Sequence, residues 1–298
     1  MSHPALFDLC CVGHLTLDRV ITPKSSVEMA GGTSWYFSHA LSRMPLRYGL
    51  VTAAGDLAGD AVHVLQNIGI AVRTLDAAHT VVFENRYGHN PDHRTQKVLQ
   101  EATPFNTAQL EGINAKVFHL GPLVAGDISE AAIALLAAKG RVSLDVQGYL
   151  RKVVGEKVVP IDWSTKQRWL PFIHYLKVSE EELEVLTGTT DVEAGARILC
   201  RWGVQEAIVT LGSKGSLVCA DEVLYAIPAY APAHTIDTTG CGDTYMAGYL
   251  YQRVRGAAIP EAGRFAAAMA TLKIEVSGPF SGEEASVRAV MEQQVLVS

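Results

Sequence analysis

The 298-residue chain has no apolar run long enough to span a bilayer, and its first residues, which include Pro4 and Asp8, carry neither a basic start nor a secretory core. A cytoplasmic protein without a membrane partner is expected. Positive charge is also short: the formal net charge of -6 argues against nucleic-acid backbone or anionic lipid as the main partner. The five cysteines (Cys10, Cys11, Cys200, Cys219, Cys241) are odd in number and form no Cys-x-x-Cys pair, which predicts reduced thiols and neither a disulfide framework nor a zinc site. His89 and His93 lie four apart, but Pro91 between them spoils a helix and no acid or cysteine completes a ligand set. A surface loop is expected there. Two nucleotide fingerprints are missing as well. Gly13-His14-Leu15 after the first strand lacks Gly-x-Gly-x-x-Gly, against a nicotinamide oxidoreductase, and Gly212-Ser213-Lys214-Gly215 lacks the Walker spacing of a P-loop.

What is present centres on Asp237-Thr238-Thr239-Gly240-Cys241-Gly242-Asp243. Two glycines around one small residue allow a sharp turn with inward amides, and Ala247, Leu250 and Tyr251 at helical intervals predict a helix beginning at or near Gly242. First-turn amides and the helix dipole make this an anion site. On pattern alone Asp243 is as well read as a helix cap as a base that takes a proton from a hydroxyl.

The rest of the chain alternates strand and helix, which predicts one α/β domain over 1–298, a three-layer sandwich with a mostly parallel central sheet and both faces covered. Leu6 to Val12 reads as a strand ending in a loop, Gly13 to Asp18, with Asp18 either a loop-capping acid or an acceptor for polyol hydroxyls. After an extended arm, Val20 to Met29, the Gly31-Gly32 pair permits close approach of a ligand, with Thr33 or Ser34 capping a helix to about Met44. Strands follow at Leu46 to Ala54 and Ile70 to Leu75, around a helix through Ile68. Thr80 to Glu84 and Thr95 to Leu99 flank a polar insert, Asn85 to Arg94. A β lid from about 20–29 and 80–99 is expected; Arg86, Asn90 and Arg94 are each a solvated residue or a ligand contact.

Farther on, Ala115 to Leu120 is a strand, Asp127 is expected to cap a helix reaching Lys139, and Arg141 to Val146 is a central strand. At its end Asp145 and Gln147 share one side, with Arg151 returning from the next turn. That group is a buried ion pair or a polar wall of a pocket. Phe172 to Val178 leads into a helix opened by the capping box of Ser179 and Glu182. Asp191 caps the next helix, Glu206 to Leu211 is a strand, and Ser216 to Ala220 pairs with Val223 to Pro228. Ala262 to Val276 is an Ala-rich helix, and a final helix follows Ser277 to Gly282.

Thr-Thr-Gly-Cys-Gly-Asp, the early Gly-Gly pair and the Thr-Leu-Gly-Ser-Lys-Gly turn together resemble the ribokinase-like (PfkB-type) carbohydrate kinases over nearly the whole chain. The resemblance implies Asp243 as catalytic base, the Gly240, Cys241 and Gly242 amides as anion hole, and Asp18 with Gly31, Gly32 and Thr33 against the substrate. It places Thr210, Gly212, Ser213, Lys214 and Gly215 beside the nucleotide, with Ala268 near adenine. Glu182 matches the acid that orders magnesium-bound water, with Ser179 where the family has Asn. Asp237 and Thr239 match residues around a monovalent cation, K+. ATP and Mg2+ are the implied cofactors and a homodimer through the lid the implied assembly. Tyr36 replaces the commonest Asn. Asp145, Gln147 and Arg151, with Tyr175 to Ser179, resemble the myo-inositol kinase branch. The expected reaction is ATP-dependent phosphorylation of a cyclitol or sugar hydroxyl, first of all on myo-inositol. Alternatives are a ribokinase, fructokinase, 2-keto-3-deoxy-sugar-acid or nucleoside kinase, and a silent sugar or nucleotide sensor.

Overall fold

Aliphatic and β-branched runs form strands whose side chains alternate between two apolar layers. In β1 (Phe7–Gly13), Leu9 and Cys11 enter one buried cluster while Cys10 and Val12 enter the other, as a strand covered on both faces requires. The computed structural model describes residues 6–23, 25–55, 58–87 and 94–292. The central sheet adds β4 (Tyr48–Ala54), β5 (Ala71–Asp76), β8 (Ala115–Gly121), β9 (Arg141–Asp145), β12 (Tyr175–Ser179), β13 (Glu206–Thr210), β14 (Ser216–Ala220) and β15 (Val223–Ile227). Its order is β15-β14-β13-β12-β9-β8-β1-β4-β5, parallel except for β14 against both neighbours.

Residues of α1 (Thr33–Leu41), α2 (Gly59–Asn67), α8 (Cys241–Val254), α9 (Ile259–Ile274) and α10 (Glu284–Glu292) build the cluster on one face. Those of α3 (Thr107–Leu110), α4 (Glu130–Ala137), α5 (Lys166–Trp169), α6 (Glu180–Thr187) and α7 (Val192–Arg201) build the other. The result is the three-layer α/β arrangement expected from the alternation of elements. Parallel strands β1, β8, β9 and β12 all end at one rim of the sheet, the place where α/β proteins present ligand groups.

Over that rim lies a second sheet of six strands, ordered β10-β11-β7-β6-β2-β3. These are β2 (Thr16–Ile21), β3 (Ser26–Gly31), β6 (Val81–Tyr87), β7 (Arg94–Gln100), β10 (Arg151–Val154) and β11 (Lys157–Pro160). The lid is therefore larger than the two expected segments. Asp18 sits within β2 and not in a loop, because Thr16 to Ile21 pairs with β3 on one side and β6 on the other. The β10–β11 hairpin was not expected at all; it turns through Gly155 at φ 63° and Glu156, and Lys157 pairs with Lys97 of β7.

Two caps also differ. Gly32, at φ 87°, is the N-cap of α1 and no side chain caps it, so neither Thr33 nor Ser34 does so. Ser129 stands at the N-cap of α4, whereas buried Asp127 accepts from the Leu123 and Val124 amides and closes the loop before it. The Ser179–Glu182 capping box and the Asp191 cap form as expected. His89, Asn90 and His93 lie outside the described residues; Arg86 is exposed and pairs with Glu84 at 3.1 Å.

Candidate active site

The anion turn is held by its own first residue. Asp237 Oδ1 accepts from the Thr239 amide at 2.9 Å, which bends the chain toward Gly240 at φ 74°, the N-cap of α8. A Cβ at Gly240 would lie 2.2 Å from the Tyr36 ring, so both the dihedral and the contact call for glycine. Cys241 N–H turns back to Thr238 O at 3.3 Å, and Thr244 N–H begins the helical ladder on Gly240 O. Gly242 and Asp243, in the first turn, have amides with no partner from the helix itself. Of the three first-turn amides, that of Cys241 is thus engaged within the turn, while those of Gly242 and Asp243 have no helical partner.

Asp243 stands at the rim with its carboxyl toward a cleft of about 1290 Å³. Burial and the nearby Asp145 carboxylate raise its pKa to about 6, while Lys177, the Thr33 hydroxyl and Arg151 act in the opposite direction. That value suits a group that accepts a proton near neutral pH. Lys177 was not singled out in the sequence as a site residue. It is a buried lysine on β12, Nζ 3.1 Å from Asp145 Oδ2 and 3.7 Å from Glu182 Oε2, with its Cε and Nζ 3.5 Å from where a Cβ on Gly242 would stand. Burial alone would favour loss of its proton, but Asp145, Glu182 and Asp243 together hold its pKa above the usual lysine range. The signal available in the sequence was a lysine in the middle of an apolar strand, where only a paired charge is tolerated.

Asp145 also accepts from the Gln147 amide at 3.2 Å, and Arg151 donates to Leu123 O. All three line the cleft with Lys177. Across it, Thr16 donates to Asp18 at 2.6 Å, and a Cβ on Gly31 would strike Asp18 Oδ2 at 2.5 Å. Gly31 therefore leaves room for the Asp18 carboxylate. Gly32, Thr33 and Tyr36 line the same space, and the lid contributes Met29, Phe83, Asn85 and Gln96.

The expected nucleotide residues stand apart from this cleft. None of Thr210, Gly212, Ser213, Lys214 and Gly215 lines it. Gly212 and Gly215 have positive φ, as their turn requires, and exposed Lys214 pairs with Glu180 at 3.2 Å. Ala268 is fully buried in the helical layer. Glu182 accepts from Ser179 N–H at 2.7 Å, and burial raises its pKa against the pull of Lys177. Among the described residues no group of three or more His, Cys, Asp and Glu could hold a metal ion, and no helix is long and apolar enough to cross a membrane.

Comparison with known proteins places the chain in a family. The model of the pfkB family carbohydrate kinases matches residues 61–285. A cytidine kinase of Thermococcus kodakarensis is 27% identical over 270 residues, covering 87% of this chain and 93% of its own. A ribokinase of Arabidopsis thaliana is 34% identical over 164 residues, covering 51% of this chain and 43% of its own. Among solved structures, a sulfate complex of a pyrophosphate-dependent kinase in the ribokinase family superposes with a TM-score of 0.84 at 27% identity, covering 94% of this chain and 99% of that one. A structure of such a kinase with a pyrophosphate analogue and myo-inositol has a TM-score of 0.81 at 27% identity and the same coverage. With its ribokinase-like fold and its family match over most of its length, the chain belongs to the pfkB family of carbohydrate kinases, phosphotransferases that act on hydroxyl groups.

Proposed function

We propose that this kinase phosphorylates a hydroxyl of a cyclitol or sugar, with myo-inositol the first acceptor to test and ATP the expected donor. One observation carries the reading: Asp18 beside Gly31, and Asp145 with Gln147 and Arg151, border the same cleft as the Asp243 anion turn. Carboxylates at two sides of the cleft suit a ligand made of hydroxyl donors. Asp243 takes the proton of the bound hydroxyl as its oxygen attacks phosphorus, and the bond to the leaving phosphate breaks. The Gly242 and Asp243 amides and the Lys177 ammonium balance negative charge on the transferred group. Thr33 and Arg151 favour the ionised form of Asp243.

Magnesium fits this site only through phosphates and water, since Lys177 already pairs with Asp145 and Glu182. Bound there, it would supply charge neutralisation on the donor. A second donor has its own support. The 27%-identical kinase with myo-inositol is described as pyrophosphate-dependent, and the residues expected at the base here do not line the cleft. The relation to a cytidine kinase keeps a nucleoside as an alternative acceptor. A silent sensor is disfavoured by Asp243 standing in an anion turn. A lid-mediated homodimer is part of the reading, with exposed Val27 on the edge strand β3, and light scattering would test it.

Phosphoryl transfer measured by phosphorus NMR, with ATP or pyrophosphate against myo-inositol, ribose, fructose, cytidine and a 2-keto-3-deoxy sugar acid, tests the whole reading. Turnover of myo-inositol with either donor is the expected result. Efficient use of ribose, fructose or cytidine with myo-inositol untouched would overturn the cyclitol assignment and leave the kinase intact.

A further inference from the structure

Behind the anion turn, α9 ends against the irregular segment that carries Asp237. Lys273, in the last turn of α9, is fully buried, and its Nζ donates to Asp237 O at 2.9 Å, Asp237 Oδ2 at 3.1 Å and Val276 O at 3.4 Å. Gly278 N–H reaches the same Oδ2 at 3.3 Å. Thr239 offers Asp237 its amide, a donor and not a ligand for a cation. Two main-chain carbonyls and one carboxylate around a single positive centre make the oxygen set of a monovalent-cation site.

Here that centre is the chain's own ammonium. An ammonium and a potassium ion are alike in charge and similar in size, so both cannot occupy these three oxygens. The residues expected to hold K+ therefore do not fit a free ion.

We infer that Lys273 is a tethered internal cation that fixes the anion turn, and that this kinase consequently works without K+ or any other monovalent ion. The ammonium anchors Asp237 Oδ2 while Oδ1 bends Thr239 toward Gly240, so the charge is coupled to the amides that face the cleft. Lys273 acts through Asp237 and is a positioning residue.

The test compares turnover of the intact chain in KCl, NaCl and tetramethylammonium chloride at fixed ionic strength, alongside thallium NMR of the same protein. Rates equal within about twofold and no bound thallium signal are expected. Stimulation by K+ of about fivefold or more, or a bound thallium ion displaced by K+, would overturn the inference. Lys273→Ala opens the space: it should lose about tenfold or more in kcat and recover part of it with K+ or methylammonium, but not with tetramethylammonium. Lys273→Met fills the space without charge and should not recover; parental kcat in Lys273→Met with no salt dependence would also overturn the inference. The thallium measurement needs no acceptor, so it decides the matter even if the proposed substrates fail. A variant that does not fold leaves the salt series of the parent decisive.

Discussion

At the scale of single residues, Asp243 carries a sharp expectation. Gly240, not Asp243, is the N-cap of α8, and no side chain caps it, so the cap that the sequence allowed for Asp243 is not formed. Asn is nearly isosteric with Asp, and Asp243→Asn should fold while losing about 10²- to 10⁴-fold in kcat, the usual worth of a general base. In the parent, kcat/KM should fall as pH drops through about 6, the raised pKa of this carboxyl. The stability effect has the opposite sense from that of a salt-bridged acid. The folded pKa lies above the unfolded one, so ionised Asp243 costs stability above pH about 6 and costs nothing below about 4. Asp243→Asn should thus melt higher than the parent at pH 8, with the difference shrinking as pH falls through that window. Equal activity at saturating substrate would remove Asp243 as the base. Lys177 is expected to act on the same titration. Lys177→Met removes a positive charge beside Asp243 and should move the acidic limb of kcat/KM to higher pH. It also strands buried Asp145 and Glu182, a loss of about 3–5 kcal/mol in melts.

At the scale of elements, the start of α8 depends on one backbone conformation. Gly240→Ala places a Cβ against Tyr36 and adds roughly 1–2 kcal/mol of left-handed strain. It should weaken phosphate-donor binding and turnover together, and Tyr36→Ala in the same chain should relieve the contact but not the strain. Calorimetric titration with a non-hydrolysable donor checks both. The turn itself was legible in the sequence because Gly-x-Gly before an apolar-rich helix has few other uses. So was the alternating sheet, since strands buried on both faces read as apolar runs, as in Leu9 to Val12 of β1. The lid was legible only in part. Thr16 to Ile21 alternates too weakly to be told from a loop, and its strand character comes from pairing with β3 and with β6, distant in sequence. Val154-Gly155-Glu156-Lys157 did carry a local hairpin signal, but its docking on β7 is a tertiary event. Lys273 and Lys177 stayed hidden for a related reason: a lysine's burial depends on carboxylates and carbonyls that only the fold brings near it.

At the scale of the molecule, two sheets of unequal support face each other across the cleft. The central sheet is clamped between two large buried clusters, one on each face. Among the described residues, the buried cluster of the lid sheet is Val81, Phe83, Val98 and Leu123, with Ala102, Val153 and Val158 packed partly against it. Local opening is easiest where few apolar contacts oppose it, so the lid is the part expected to open without global unfolding. It carries Asp18, Met29, Phe83, Asn85 and Gln96 into the cleft, and a bound polyol would tie those strands to the central sheet through its hydroxyls. Hydrogen exchange followed by mass spectrometry should show peptides from β2, β6, β7 and β11 exchanging far faster than those from β1, β8 and β12 in the free protein. Adding acceptor together with a non-hydrolysable donor should slow the first group and leave the second unchanged. Asp18→Asn keeps the shape of the lid strand and removes its charged acceptor, so it should abolish most of that slowing and raise KM for the acceptor more than for the donor. Lid peptides that exchange as slowly as β1 in the free chain would show that this sheet is a fixed wall, and the specificity of the cleft would then rest on its shape alone.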